Sequence, residues 1–251
     1  MQNIWTIAKR EYALYFASPV AYMLAFFLLL ILGFFFYYSI SIATSAIGMQ
    51  QGYIPGVDII IQPMAVLLVL LIPALTTRLL AEERRLGTIE LLMTAPVRDF
   101  ELVLGKWLGA FLLLLTFLAV TLIYPVILNQ VVSPGIDQGP LLTGYLGLIL
   151  LCAATTAVGV LISSLFTNQI AAFATTMGAI IFLWWIIGVI AQIAGQLGGG
   201  SEWLSYLDYS GHFYNTFVRG IIDLRGLVYY LSVTVLALFL STMSVEVRRW
   251  G

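Results

Sequence analysis

Hydrophobic residues in this chain gather into long unbroken runs, not the three-and-four spacing of a soluble helix or the alternation of a half-buried strand. Six runs reach the roughly 20 apolar residues that a helix needs to cross the hydrocarbon core of a bilayer: 20–42, 59–80, 102–128, 141–166, 170–194 and 227–245. The pattern predicts an all-α integral membrane protein, a single transmembrane domain (1–251) of six spanning helices. Pro63, Pro73 and Pro125 fall inside or near the ends of these runs. Neighbouring helices can satisfy the carbonyls that proline frees there. The first run starts late, is long and lacks a small-x-small cleavage site, so it reads as a span and not as a cleaved leader.

Between the runs the polar positions are organised too. Residues 1–18 form an amphipathic pattern. At 100° per residue Ile4, Trp5, Ile7, Ala8, Tyr12, Leu14, Tyr15 and Phe16 cover one broad face, and Thr6, Lys9, Arg10 and Ala13 the other. Aromatics on one side and cations on the other predict a helix lying in the membrane interface. Ser18-Pro19 ends it and starts the first span, since proline is comfortable in a first helical turn. Glu11 falls within the apolar face, and the expectation is that it meets a cation from another segment on the same side. The plainer alternative is a carboxylate that snorkels to water.

The segment 81–100, after the second run, is the most polar part of the chain: Ala81, Glu82, Glu83, Arg84, Arg85, then Leu86-Gly87-Thr88-Ile89-Glu90-Leu91-Leu92-Met93-Thr94-Ala95-Pro96. Gly87-Thr88 reads as a turn and helix cap with Glu90 in the first turn, where the helix dipole favours an acid. Pro96 ends this short helix. The third run opens with Gly105 and Gly109, a small-xxx-small pair that permits close helix approach. The fourth and fifth runs are joined only by Thr167-Asn168-Gln169, so they must be antiparallel neighbours. The stretch 195–226 opens with Gly198-Gly199-Gly200 and then carries Trp203, Tyr206, Tyr209, His212, Phe213, Tyr214 and Phe217. Phe213, Phe217 and Ile221 would share a helical face and Arg219 to Asp223 is a helical ion-pair spacing, which predicts one or two short helices at the outer interface.

Composition agrees: 61% of residues are hydrophobic and 9% charged, against about a quarter charged in soluble proteins. Orientation follows from the cations. Lys9, Arg10, Arg78, Arg84, Arg85, Arg98, Lys106, Arg248 and Arg249 lie at the termini and the second-to-third connection, with only Arg219 and Arg225 on the other side. The positive-inside rule places both termini and the 81–100 segment in the cytoplasm. A net charge of −1 provides no basic stripe for nucleic acid. The single Cys152 permits no internal disulfide, and a lone His212 reads as a polar anchor and not as a base or metal ligand. There is no phosphate-binding loop, no HExxH and no CxxC, and no charged residue lies mid-span. An enzyme, a metal site and a proton-coupled carrier are therefore all disfavoured.

The string Ala81-Glu82-Glu83-Arg84-x-x-Gly87-Thr88-x-Glu90-x-Leu92-x-x-x-Pro96-Val97 resembles the signature of type-2 ABC transporter permeases, the ABC-2 family of membrane subunits. The N-terminal helix, the six spans and the outer aromatic segment extend that likeness over the chain. Within the family, His212 to Asp223 and the Val245-Glu246-Val247-Arg248-Arg249-Trp250 tail look most like the gliding-motility and nitrous-oxide-reductase-maturation permeases. The resemblance implies the permease subunit of an ATP-driven exporter in a prokaryotic plasma membrane. Its partners would be two copies of a separate ABC ATPase, a second permease (the same or a related chain) and membrane lipid, with room for a periplasmic or extracellular partner. ATP and Mg would be held by the ATPase and no cofactor by this chain. Glu82, Glu83, Arg84, Gly87, Thr88, Glu90, Leu91, Leu92 and Pro96 would form the joint to the ATPase, supported by Trp5, Lys9, Arg10 and Glu11. The outer residues Trp203, His212, Phe213, Phe217, Arg219 and Asp223 would cap a route between the second and fifth spans of the two subunits. The alternative is a non-transporting anchor or assembly subunit driven by the same kind of ATPase.

Overall fold

The computed structural model describes residues 2–85, 98–133, 135–196 and 201–249. Among them the regular elements are all helical: α1 (Gln2–Ala17), α2 (Pro19–Thr44), α3 (Ala46–Gln51), α4 (Asp58–Thr76), α5 (Ala81–Arg85), α6 (Asp99–Thr121), α7 (Ile123–Val131), α8 (Gln138–Leu165), α9 (Gln169–Gln196), α10 (Ser201–Leu207), α11 (Tyr209–Tyr214), a 3-10 turn at Phe217–Arg219 and α12 (Leu224–Arg249). Six stretches are long and apolar enough to cross a membrane: α2, Asp58–Glu83, Asp99–Val131, α8, α9 and Leu224–Val247. Each hydrophobic run of the sequence falls on one of them.

Local chemistry sets where these helices start. Ser18 Oγ accepts the Val20 N–H with Pro19 in the first turn, Asp137 accepts from Gly139, and Asn168 Oδ1 takes the N–H groups of Ile170 and Ala171. These are side-chain caps for donors that a helix leaves unmade. Proline sets one of the breaks. Pro125 has no N–H to offer Thr121, four residues back, and the helix divides there into α6 and α7.

The fourth span, α8, is the axis of the bundle, with 78% of its apolar window buried against 22% for α2 and for α9. Small residues let its neighbours close in. A methyl group on Gly147 would lie 2.7 Å from Phe217 Cβ, and Gly144 and Gly159 are filled by Ile61 and Thr76. A π-helical turn, Phe182–Ile186, interrupts α9. Such a turn inserts one extra residue per turn and re-aims the side chains after it; here Trp184 is buried and packs on Tyr209, Phe213 and Tyr214 with ring centroids 6.0, 6.0 and 5.6 Å away.

The outer segment departs from the sequence expectation in one respect. Phe213 and Phe217 are buried, but Ile221 is 54% exposed and shares no helical face with them. After the 3-10 turn the chain reverses at Gly220, whose φ of 83° lies in the left-handed region open to glycine. Arg219 and Asp223 therefore have no helical spacing, and Asp223 Oδ1 instead accepts the Arg225 N–H as α12 begins.

Candidate functional site

The second span does not run straight into the polar segment that follows it. α4 ends at Thr76, residues 77–80 form a turn, and α5 resumes at Ala81. A break of this kind exposes backbone polar groups, which are costly in an apolar surround unless each is met. Here they are met from two other helices. Tyr15 of α1 donates its hydroxyl to the Leu75 carbonyl at 2.9 Å. Ser163 of α8 does more: its Oγ accepts the N–H groups of Leu80 and Ala81, each at 3.1 Å, and donates to the Thr77 carbonyl at 3.0 Å. The Thr76 hydroxyl turns back onto the Ile72 carbonyl and the Leu79 N–H onto the Thr76 carbonyl. Arg78 covers the Tyr15 ring, 4.5 Å from its centroid. Burial holds the Tyr15 phenol well above its ordinary range despite that cation, so it stays a neutral donor.

Beyond the break, α5 carries Glu83 to the buried ammonium of Lys106. Lys106 Nζ lies 2.7 Å from Glu83 Oε1 and 2.8 Å from Glu11 Oε1, so α1, α5 and α6 meet at one nitrogen. The Lys106 side chain is 2% exposed. Its depth follows from helix length. Asp99–Val131 comprises 33 residues, about 50 Å at 1.5 Å per residue and some 20 Å more than the hydrocarbon core. The first turns of α6 can thus stand at headgroup level, where one ammonium shared by two carboxylates is tolerable.

α1 is seated by the two glycines of α6. A methyl group on Gly105 would lie 2.7 Å from Ile7 Cβ, and one on Gly109 2.6 Å from Glu11 Cβ and 3.0 Å from the Ala8 carbonyl. Four residues along α1 match four along α6, so the two helices run side by side in the same direction over these turns. Asn3 reaches Glu101 Oε2 at 3.0 Å and Tyr12 pairs with Thr116 Oγ1 at 3.0 Å, extending the seam both ways. The helix expected at the interface thus has a face packed on protein, and Glu11 stands on that face opposite its cation.

Of the residues anticipated for coupling, Glu83 turns inward to Lys106 and Glu82 is half-buried. Gly87, Thr88, Glu90, Leu91, Leu92 and Pro96, with the side chain of Arg84, lie outside the described residues. Trp5, Lys9 and Arg10 are exposed. Trp203 is exposed on α10, away from the aromatic core formed by Phe213 and Phe217. His212 stacks on Tyr229 at 4.5 Å with its Nε2 2.8 Å from the Tyr206 carbonyl, an anchor for the outer helices. Tyr209 at the centre of that cluster bonds Thr155 at 2.8 Å. Reading the sequence did not single out Ser163, Tyr15 or Trp184 as site residues, and counted Lys106 only as a cytoplasmic charge. The one signal available was Glu11, an acid on an apolar face that called for a cation.

A family model described as ABC-2 family transporter protein matches residues 48–245. That range contains the broken second span, Lys106, the central α8 and the aromatic cluster around Tyr209. No curated protein matches the chain.

Proposed function

The chain belongs to the ABC-2 family of transporter proteins, and on that premise we propose that its broken second span is the element through which ATP hydrolysis is felt. Membership makes it a multi-pass membrane permease of an ABC transporter, which partners an ABC ATPase subunit. On the proposed arrangement both termini and residues 86–97 are cytoplasmic, and two permeases meet two ATPases that hold the ATP and Mg. This chain binds no nucleotide and performs no catalysis itself. The direction is export. The outer stretch His212 to Asp223 aligns it with the gliding-motility and nitrous-oxide-reductase-maturation subtype.

One observation carries this reading: Lys106 ties α5, the last described element before residue 86, to both α1 and α6. A push on residues 86–97 reaches α5 first. The Glu83–Lys106–Glu11 cluster passes it sideways to α1 and α6, while the turn at 77–80, bonded by Ser163 at both its ends, is the point at which α4 and α5 change angle. Rigid transmission beside a jointed helix supports a change in packing between subunits. The sparsely buried α9, with Val189, Ile190 and Ile193 outward, offers an apolar face for that partner.

The test is co-purification of the permease with its ATPase, comparing the native chain with Glu90→Arg for ATPase retention and ATP hydrolysis. Retention by the native chain and release or silence with Glu90→Arg is the expected result. A native permease that neither retains nor stimulates the ATPase overturns the coupling reading.

A further inference from the structure

Alongside the seam between α1 and α6 runs an open groove of about 580 Å³, lined by Trp5, Lys9 and Tyr12 on one wall and by Leu112, Leu115, Thr116 and Ala119 on the other. Each wall is one helical stripe, at spacings of four and three residues. The groove is graded in polarity. Lys9 and an exposed Trp5 stand on the α1 wall, the Tyr12–Thr116 hydroxyl pair joins the two walls, and Leu112, Leu115 and Ala119 form an apolar α6 wall leading towards the middle of the span. No acid lines it. Glu11, the nearest carboxylate in sequence, points to the other side of α1 and is held by Lys106 at 2.8 Å.

We propose that this groove is a binding site for one anionic phospholipid. Lys9 holds the phosphate, the Trp5 indole lies at headgroup level as amphipathic rings do, and one acyl chain follows Leu112, Leu115 and Ala119. The occupant is a lipid and not a free anion, because the α6 wall is apolar along a spanning helix. It is anionic because the charge among the groove's described lining residues is a lysine. The inference rests on the proposed topology only for the choice of leaflet, which would be the cytoplasmic one. A lipid wedged here props the same helix that carries Glu11, so its headgroup would bear on the seating of α1 in the joint.

The test uses the intact permease in vesicles of phosphatidylcholine doped on both leaflets with brominated phosphatidylglycerol or brominated phosphatidylcholine. Bromine quenches tryptophan at contact, and subtracting a Trp5→Phe variant isolates the Trp5 signal. The expected result is half-quenching of Trp5 at a mole fraction of phosphatidylglycerol about fivefold lower than of phosphatidylcholine, the discrimination one basic side chain near a surface supplies. That preference should vanish in Lys9→Gln and invert in Lys9→Glu. Lys9 is exposed, so both variants should melt as the native chain does. Equal quenching by the two lipids, a preference that survives Lys9→Gln, or displacement of the lipid by soluble glycerol phosphate overturns the proposal. Because no ATPase is present, failure here leaves the coupling reading standing, and failure of coupling leaves this one.

Discussion

Lys106→Met keeps most of the volume of the buried side chain but removes the ammonium that holds Glu11 and Glu83. Two carboxylates then face one another across a site where both are largely, though not fully, buried. Removing one partner of a buried pair costs about 3–5 kcal/mol, and here the ammonium lost is the one that Glu11 and Glu83 share. For a chain of this size about 1 kcal/mol moves the melting temperature by roughly 2–4 °C, so the midpoint should fall by roughly 6–20 °C. Intrinsic tryptophan fluorescence during heating in detergent reads it. The same reasoning demands rescue. Adding Glu11→Gln and Glu83→Gln removes the repulsion between the two carboxylates, and a fully neutral site is often as stable as a buried ionic one, so the triple variant should recover most of the loss. Reversing all three charges, with Glu11→Lys, Glu83→Lys and Lys106→Glu, should recover it as well. A fall of under about 3 °C for Lys106→Met, or a neutral triple variant no better than Lys106→Met alone, would show that the cluster does not hold α1, α5 and α6 together.

Other outcomes follow from the same geometry. Ser163→Ala strands two N–H groups and a carbonyl at the break, at about 1–3 kcal/mol for each group left unmet; hydrogen exchange at Leu80 and Ala81 should accelerate, and unchanged exchange would deny Ser163 its role. Gly109→Leu overpacks the seam by about 1–3 kcal/mol and should expose α1 to limited proteolysis while leaving α8 protected. Trp184→Ala removes a fully buried indole from beneath the outer helices, costing about 3–5 kcal/mol. It should leave ATPase retention intact while transport in proteoliposomes is lost; loss of ATPase binding instead would move Trp184 into the coupling end.

Much of this architecture is written in one dimension. Spans follow from run length because lipid permits no unpaired backbone, and the start of the first span follows from Ser18-Pro19. Glu11 announced a missing partner by standing where an apolar side chain belonged. Which cation answered was not legible: Lys106 sits 95 positions away, and several other cations lay on the same predicted side. Ser163 looked like one more small residue in a helix rich in them, since its value depends on a break in another helix. The break itself falls inside an apolar run, four residues past a proline that such helices often tolerate. The π turn around Trp184 has no composition of its own. Arg219 and Asp223 misled because spacing was read as helical across Gly220, whose backbone turns the chain.

The distance in sequence between Glu11 and Lys106 also sets an order of assembly. Glu83 and Lys106 are 23 positions apart and come together as one hairpin closes, whereas Glu11 is 95 positions upstream. At about 5–20 residues per second of synthesis, Glu11 is made roughly 5–20 seconds before its lysine exists. During that interval Glu11 lacks its lysine, and on the proposed topology an unpaired carboxylate would resist entry into lipid. The acid that ties α1 to the finished joint would thus also hold α1 out of the lipid before that joint exists.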